Sequence, residues 1–336
     1  QQRGPGDSHR HGLARRMITR TAKGLRRSSM AAVDRLSYVP ISRLGFNVVL
    51  TVLVSQRWLL AALRPAADYV ISRTAPVVPG IRVKRVGAPV SGEWVWAPEA
   101  DGAAGVVLVL HGSGYLICSA RTHRGFASHL SAYSGMPAFA IDYRLAPEHP
   151  FPAAEDDALA AYRWLLSQGH DPAKIVVAGD SAGGHLAVGL ALRLRGEGLP
   201  APAALALFGP LIDPSYRLCI ADARTRRQPL DPRAAARAVA LYVGDHDPAD
   251  PRLSLLNAEL SDLPPIQVHY GSREVMRADA EAFAALVVQA GGRCDEHMWP
   301  GLMHGYWLWP RDGGLTSLQV AGHFLRTAVA EANTAS

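Results

Sequence analysis

Ile175-Val-Val-Ala-Gly-Asp-Ser-Ala-Gly-Gly184 is the stretch that decides the fold. Residues 175–178 form a short, solid apolar run, the mark of a strand buried on both faces. A helical stretch, 183–196, follows almost at once. Between them stands Gly179-Asp-Ser-Ala-Gly183, a serine with a glycine two places to either side. Glycines there permit a tight, strained turn that lifts Ser181 clear of the backbone. A strand, a sharp turn and a helix with serine at the apex is the setting of an activated nucleophile. The helix start adds free backbone N–H groups and positive dipole where an anion would form.

Similar short apolar runs occur at 106–110, 138–141, 204–208 and 266–270, with a further strand candidate at 295–298. They alternate with helical stretches at 122–134, 153–168, 278–291 and 315–330. This rhythm predicts an α/β protein: a mostly parallel central sheet with helices on both faces. Ahead of it, Ile81–Val86 and Glu93–Trp96 alternate apolar and polar residues, as a half-buried antiparallel pair should. Nearly sixty residues separate the runs ending at Phe208 and starting at Ile266, and they hold their own helix candidate, 232–243. So long a connection, leaving the end of a strand where open sheets bind ligands, reads as a lid. The expected organisation is a basic, flexible arm at 1–43, an N-terminal helical cap segment at 44–75, and a catalytic domain at 76–336 with a cap insertion at about 213–255. One or two amphipathic helices are expected over 44–64.

A nucleophilic serine needs a base, an orienting acid and donors for the developing oxyanion. His111-Gly-Ser-Gly114 follows the strand 106–110 and can turn main-chain N–H groups toward Ser181. The expected donors are the N–H groups of Ser113 and Gly114, with Ala182 N–H just after the nucleophile. Gly112 supplies the turn, His111 a hydrogen bond at the loop base, and Asp180 support for the loop. The expected base is His304, in Gly301-Leu-Met-His-Gly305. The expected acid is Glu274, in Gly271-Ser-Arg-Glu274, since it lies nearer the strand end than its rival Asp279. Asp279 falls at the start of the next helix, where a carboxylate suits the dipole. His269 and His297 read as strand residues and His323 as a mid-helix residue, so none is expected to be the base.

Together these residues give a resemblance. Residues 106–308 resemble the hormone-sensitive-lipase-like branch of the α/β-hydrolases, which holds bacterial carboxylesterases and acetyl-hydrolases. The motifs are His111–Gly114, Asp142-Tyr-Arg-Leu-Ala-Pro-Glu-His-Pro-Phe-Pro152, Gly179–Gly184, and the acid and histidine segments. The resemblance implies the α/β-hydrolase fold, a helical cap and esterase activity, and it makes Asp142–Pro152 a structural support for the His-Gly loop and the elbow. Two positions depart from the family. Ser113 stands where the middle glycine of His-Gly-Gly-Gly is usual, and Cys118 stands where glycine is frequent. The Ser113 N–H survives the change if the backbone angles suit a non-glycine residue.

The function expected is a serine carboxylester hydrolase for short- to medium-chain acyl esters, working through an acyl-enzyme with no metal and no organic cofactor. The alternatives are an amidase or deacetylase of a specialised metabolite using the same triad, and a non-catalytic receptor on the same fold. Three scattered cysteines and thirteen histidines make no metal-ligand spacing. The net charge of +6 is uneven: residues 1–43 hold ten Lys/Arg against two acids, and the remainder holds 25 against 27. The basic character thus belongs to the arm, and no nucleic-acid partner is expected for the body. The expected partner is a small-molecule ester. Peripheral contact of residues 1–64 with an anionic membrane and a homodimer are further candidates. The apolar run 44–54 falls short of a membrane span, and the expected location is cytoplasmic, with membrane association as the variant.

Overall fold

The computed structural model describes Asn47 and residues 57–335. The expectations for 1–43, and for 44–56 apart from Asn47, lie outside the described residues. Eight strands, β1 (Arg82–Val86), β2 (Gly92–Trp96), β3 (Val106–Leu110), β4 (Ala138–Ile141), β5 (Ile175–Asp180), β6 (Leu205–Phe208), β7 (Ile266–Arg273) and β8 (Cys294–Met303), form one sheet in the order β1-β2-β4-β3-β5-β6-β7-β8. β2 is antiparallel to both β1 and β4, and every other pair is parallel. The mostly parallel sheet expected from the strand rhythm, and the α/β-hydrolase fold that the resemblance implies, are therefore observed.

Alternation along the strands divides the core in two. Val106, Leu108, Leu110, Val177 and Leu207 face one side with α3 (Ala153–Ser167) and α4 (Ala182–Gly196). Val107, Val109, Ala140, Ala178 and Ala206 face the other, against α2 (Arg124–Ser134) and α8 (Gly313–Ala335). β3 and β5 are fully buried, as their unbroken apolar runs require. β1 closes one edge and carries Arg82, Lys84 and Arg85, charges that discourage pairing with another chain.

The chain leaves β3 to one side, to β4, and returns to the other side of β3 as β5. The strand order reverses there, and open α/β sheets bind ligands beyond the carboxyl ends of the strands at such a point. Leu110 pairs with Gly179 across these strands. Their register sets the His-Gly loop beside the serine turn.

Two expectations are corrected. The N-terminal helix, α1, runs Arg57–Thr74, ten residues beyond the expected end at 64. The Thr74 hydroxyl donates to Val70 O and Ala75 N to Ile71 O, closing it just before Pro76. β8 continues to Met303 and β7 to Arg273, with a register irregularity between Gly271 and Arg273. Asp279 lies in the first turn of α7 (Arg277–Gln289), as expected, and is fully buried beside Cys219. Burial pushes its carboxyl up to about 7. The long connection between β6 and β7 holds α5 (Arg217–Ala221) and α6 (Pro232–Val243), the latter with the bounds expected. Its N-cap, Asp231, accepts from Arg233 N, and Pro232 suits the first helical position.

Candidate active site

Ser181 lies between β5 and α4 at φ 53°, ψ −119°. A non-glycine residue in so sparsely populated a region costs about 1–3 kcal/mol and persists only where its surroundings over-determine it. Here the surroundings are backbone. A Cβ on Gly179 would lie 2.1 Å from Gly183 O, and one on Gly183 would lie 1.9 Å from Leu110 O. The glycines flanking Ser181 are thus required by close approach of the turn to itself and to β3. Ser181 N donates to Phe208 O at 2.9 Å, anchoring the turn on the neighbouring strand.

Glu274 and His304 follow β7 and β8 directly, and the two side chains meet: His304 Nδ1 is 2.8 Å from Glu274 Oε1. The Glu274 side chain is fully buried and that of His304 is 23% exposed. Burial alone would push the imidazole pKa down. The charge and hydrogen bond of Glu274, helped by Asp180, outweigh it and hold the pKa above the ordinary 6.5. Met276 N also donates to Glu274 Oε1. The rival bases stay apart from this pair. His269 accepts at Nδ1 from Trp299 and donates from Nε2 to Gln267, His297 stacks on it at 5.0 Å, and His323 lies exposed on α8.

Asp180 is the hub that joins this pair to the His-Gly loop. Its Oδ1 accepts from Gly112 N at 3.0 Å and its Oδ2 from Trp307 Nε1 at 2.7 Å, and His123 Nε2 lies 3.2 Å from Oδ1. Burial would raise its pKa. The opposing charge and hydrogen bond of His123, with the Trp307 N–H and His111, hold it below the usual carboxylate range. Trp307 in turn meets His304 edge-to-face, with centroids 5.0 Å apart. One buried carboxylate beside Ser181 therefore fixes both the loop after β3 and the aromatic floor under His304. A Cβ on Gly112 would lie 2.3 Å from Asp180 Oδ2, so glycine is the residue this approach allows.

The loop itself is strained and heavily braced. Ser113, Gly114, Tyr115 and Cys118 have φ of 82°, 64°, 67° and 76°. Ser113 therefore keeps a conformation suited to glycine, not the one a non-glycine residue prefers. Gly112 N–H is taken up by Asp180, while the N–H groups of Ser113 and Gly114 have no acceptor among the described residues. Ala182 N–H is the first of α4 and has no partner within the helix. Tyr115, fully buried, stacks on Tyr242 of α6 at 3.6 Å and hydrogen-bonds His185 Nδ1 at 2.7 Å. His111 donates from Nδ1 to Gly112 O. Burial foremost, with neighbouring His123, pushes its pKa down to about 3, so the ring stays neutral.

The Asp142–Pro152 run lies where the resemblance placed it. Tyr143 OH donates to His111 O at 2.7 Å and its ring stacks on His111, Ala146 N donates to Tyr115 O, and Asp142 Oδ1 accepts from Ala120 N. Trp307, Tyr115, His123 and Tyr242 carry the site's bracing and were not picked out from the sequence. Only Trp307 left a signal, in the aromatic cluster just after His304.

A family model for the alpha/beta hydrolase fold matches residues 107–308. The chain is 39% identical over 243 residues to an acetyl-hydrolase of Streptomyces hygroscopicus, covering 71% of this chain and 80% of that protein. It is 36% identical over 244 residues to the carboxylesterase/phospholipase LipF of Mycobacterium tuberculosis, covering 70% of this chain and 65% of that one. A crystal structure of an esterase from the bacterial hormone-sensitive lipase family superposes with a TM-score of 0.76 at 33% identity, covering 88% of this chain and all of that one. The chain belongs to the hormone-sensitive-lipase-like family of α/β-hydrolases. It is an enzyme of the esterase class within that family. Among the described residues of this hydrolase, no helix is long and apolar enough to cross a membrane, and no group of three or more His, Cys, Asp and Glu could hold a metal ion.

Proposed function

We propose that the protein is a serine carboxylester hydrolase acting on short- to medium-chain acyl esters, with Ser181 as nucleophile, His304 as base and Glu274 as orienting acid. The observation that carries this reading is the His304 Nδ1–Glu274 Oε1 contact, directly after the two strands that run beside the serine-bearing half of the sheet. With Nδ1–H bound to Glu274, the other ring nitrogen is the free base.

In the first step Ser181 Oγ attacks the ester carbonyl carbon as His304 Nε2 takes the hydroxyl proton. The carbonyl oxygen becomes an oxyanion, met by the N–H groups of Ser113, Gly114 and Ala182, which have no acceptor among the described residues. Loss of one such donor costs about 10²–10³ in kcat. The imidazolium, stabilised by Glu274, returns its proton to the leaving alkoxide as the C–O bond breaks. Water then repeats the sequence on the acyl-enzyme, releasing the acid and free Ser181. No metal or organic cofactor enters these steps.

The acyl-length preference is supported by relatives named acetyl-hydrolase and carboxylesterase. We read α1 and the connection that holds α6 as the cap over this site. In support, Tyr242 of α6 stacks on Tyr115 of the His-Gly loop, and Arg64 of α1 donates to Leu116 O at 2.7 Å. The test is turnover of p-nitrophenyl esters of increasing acyl length by wild type and Ser181→Ala. Ser181→Ala should lower kcat by about 10⁴-fold or more with the fold intact. Wild-type turnover in that variant would refute the assignment, and a rate that rises steadily into long-chain esters would refute the chain-length reading.

A further inference from the structure

Two departures from the family's glycine pattern, Ser113 and Cys118, meet in space. Both residues hold left-handed backbone, φ 82° and 76°, where glycine is the residue without penalty. Their side chains face one another across the loop, with Ser113 Oγ 3.0 Å from Cys118 Sγ. A lone serine or cysteine at such an angle would relax toward negative φ. Here each of the two side chains gives the other a partner in that conformation.

The position of Ser113 gives this contact its meaning. Rotation about the Ser113 backbone sets the angle between its own N–H and the N–H of Gly114, the two donors assigned to the oxyanion. Most other braces of the loop act elsewhere: Gly112 on Asp180, Tyr115 on Tyr242 and His185, Leu116 O on Arg64, and Ser119 on Asp68, while Thr122 also hydrogen-bonds the Cys118 thiol. None of them grips the Ser113 side chain. Leu116 N does donate to Ser113 O at 3.2 Å, which fixes the carbonyl side of the residue but not its Cβ.

We propose that the Ser113 Oγ–Cys118 Sγ contact is a latch that aligns the two loop N–H donors for the oxyanion, making Cys118 a positioning residue for ester hydrolysis. It does with two side chains what glycines do elsewhere in the family without any. Burial foremost pushes the Cys118 thiol up to about 11, so it stays a neutral S–H through the working pH range and does not serve as a nucleophile. The inference rests on the ester-hydrolase reading above.

The experiment is a mutant cycle on the full chain, with p-nitrophenyl acetate as substrate and thermal unfolding as a second readout. Cys118→Ala keeps a non-glycine residue at both left-handed positions but removes the partner that holds Ser113 there. It should lower kcat about tenfold and leave KM nearly unchanged, because only the transition state needs the aligned donors. Adding Ser113→Gly to Cys118→Ala should restore most of the lost kcat, since glycine adopts φ 82° unaided. Cys118→Ser, which keeps a hydrogen-bonding group, should lose far less than Cys118→Ala. The unfolding midpoints should show that the effects of Ser113→Gly and Cys118→Ala are not additive. Wild-type kcat in Cys118→Ala would overturn the latch, and so would a double variant no faster than Cys118→Ala. An inactive wild type would instead refute the ester-hydrolase reading, while the unfolding cycle would still report whether the two side chains are coupled.

Discussion

Asp180→Asn tests the buried hub directly. The carboxylate receives three donors at once, from Gly112 N, Trp307 Nε1 and His123 Nε2 at 3.0, 2.7 and 3.2 Å, and its residue is 2% exposed. Asparagine matches its shape but offers one accepting oxygen, so its NH₂ must face an N–H of Gly112 or of Trp307. A hydrogen bond to a charged group is worth about 1.5–3 kcal/mol, and a buried donor left unmet adds its desolvation cost. A buried donor left unmet costs about 1–3 kcal/mol by itself. These costs overlap, so about 3–5 kcal/mol in all is expected, or roughly 6–20 °C in Tm at about 2–4 °C per kcal/mol for a domain of this order of size. Activity should fall as well, because Gly112 and Trp307 lose their common anchor, and a misplacement of about 1 Å costs about 10²-fold. Circular dichroism melting with kcat and KM on p-nitrophenyl butyrate measures both. An unchanged melting point together with wild-type kcat/KM would show that Asp180 does not organise this site.

Gly209→Ala should disturb the acid rather than the core. The added Cβ would lie 2.7 Å from Glu274 Oε2 and 2.7 Å from Trp307 Cη2, at φ +46°. A fall in kcat of about 10–100-fold with KM little changed is expected, and steady-state kinetics showing wild-type kcat would contradict it. The pH profile follows from the raised His304 pKa, since the base must be neutral. kcat/KM should decline as pH falls through a value above 6.5, and Glu274→Gln should move that inflection down and cut the rate by about 10⁴-fold, as for other triad acids. Stability has the opposite sign: the His304⁺–Glu274 pairing contributes fully below 6.5 and is lost as pH rises through the raised folded value. Melting temperatures across pH for wild type and Glu274→Gln check that sign.

The strand rhythm, the elbow at Ser181, the bounds of α6 and the placing of Glu274 and His304 on the segments that follow two later strands could all be read along the chain. Local signals carry them: unbroken apolar runs mark strands buried on both faces, and glycines mark turns whose backbones touch. The burial of Asp279 could not be read in this way. A carboxylate in a first helical turn has the same sequence signature whether it meets water or Cys219. The far ends of α1, β7 and β8 were also hidden, since pairing and side-chain caps, not composition, decide where an element stops.

The chain's order of residues thus determined by itself the fold class and which residue types stand ready for acyl transfer, because periodicity and turn chemistry act over a few positions. Only the tertiary structure decided how they are bound together. It set Asp180 between Gly112 and Trp307, laid Tyr143 against His111, and brought Ser113 to Cys118 in backbone that favours glycine. Those contacts join residues up to 127 positions apart. They follow from the reversal of strand order at β3 and β5, where buried polar groups must find partners across the sheet rather than along the chain.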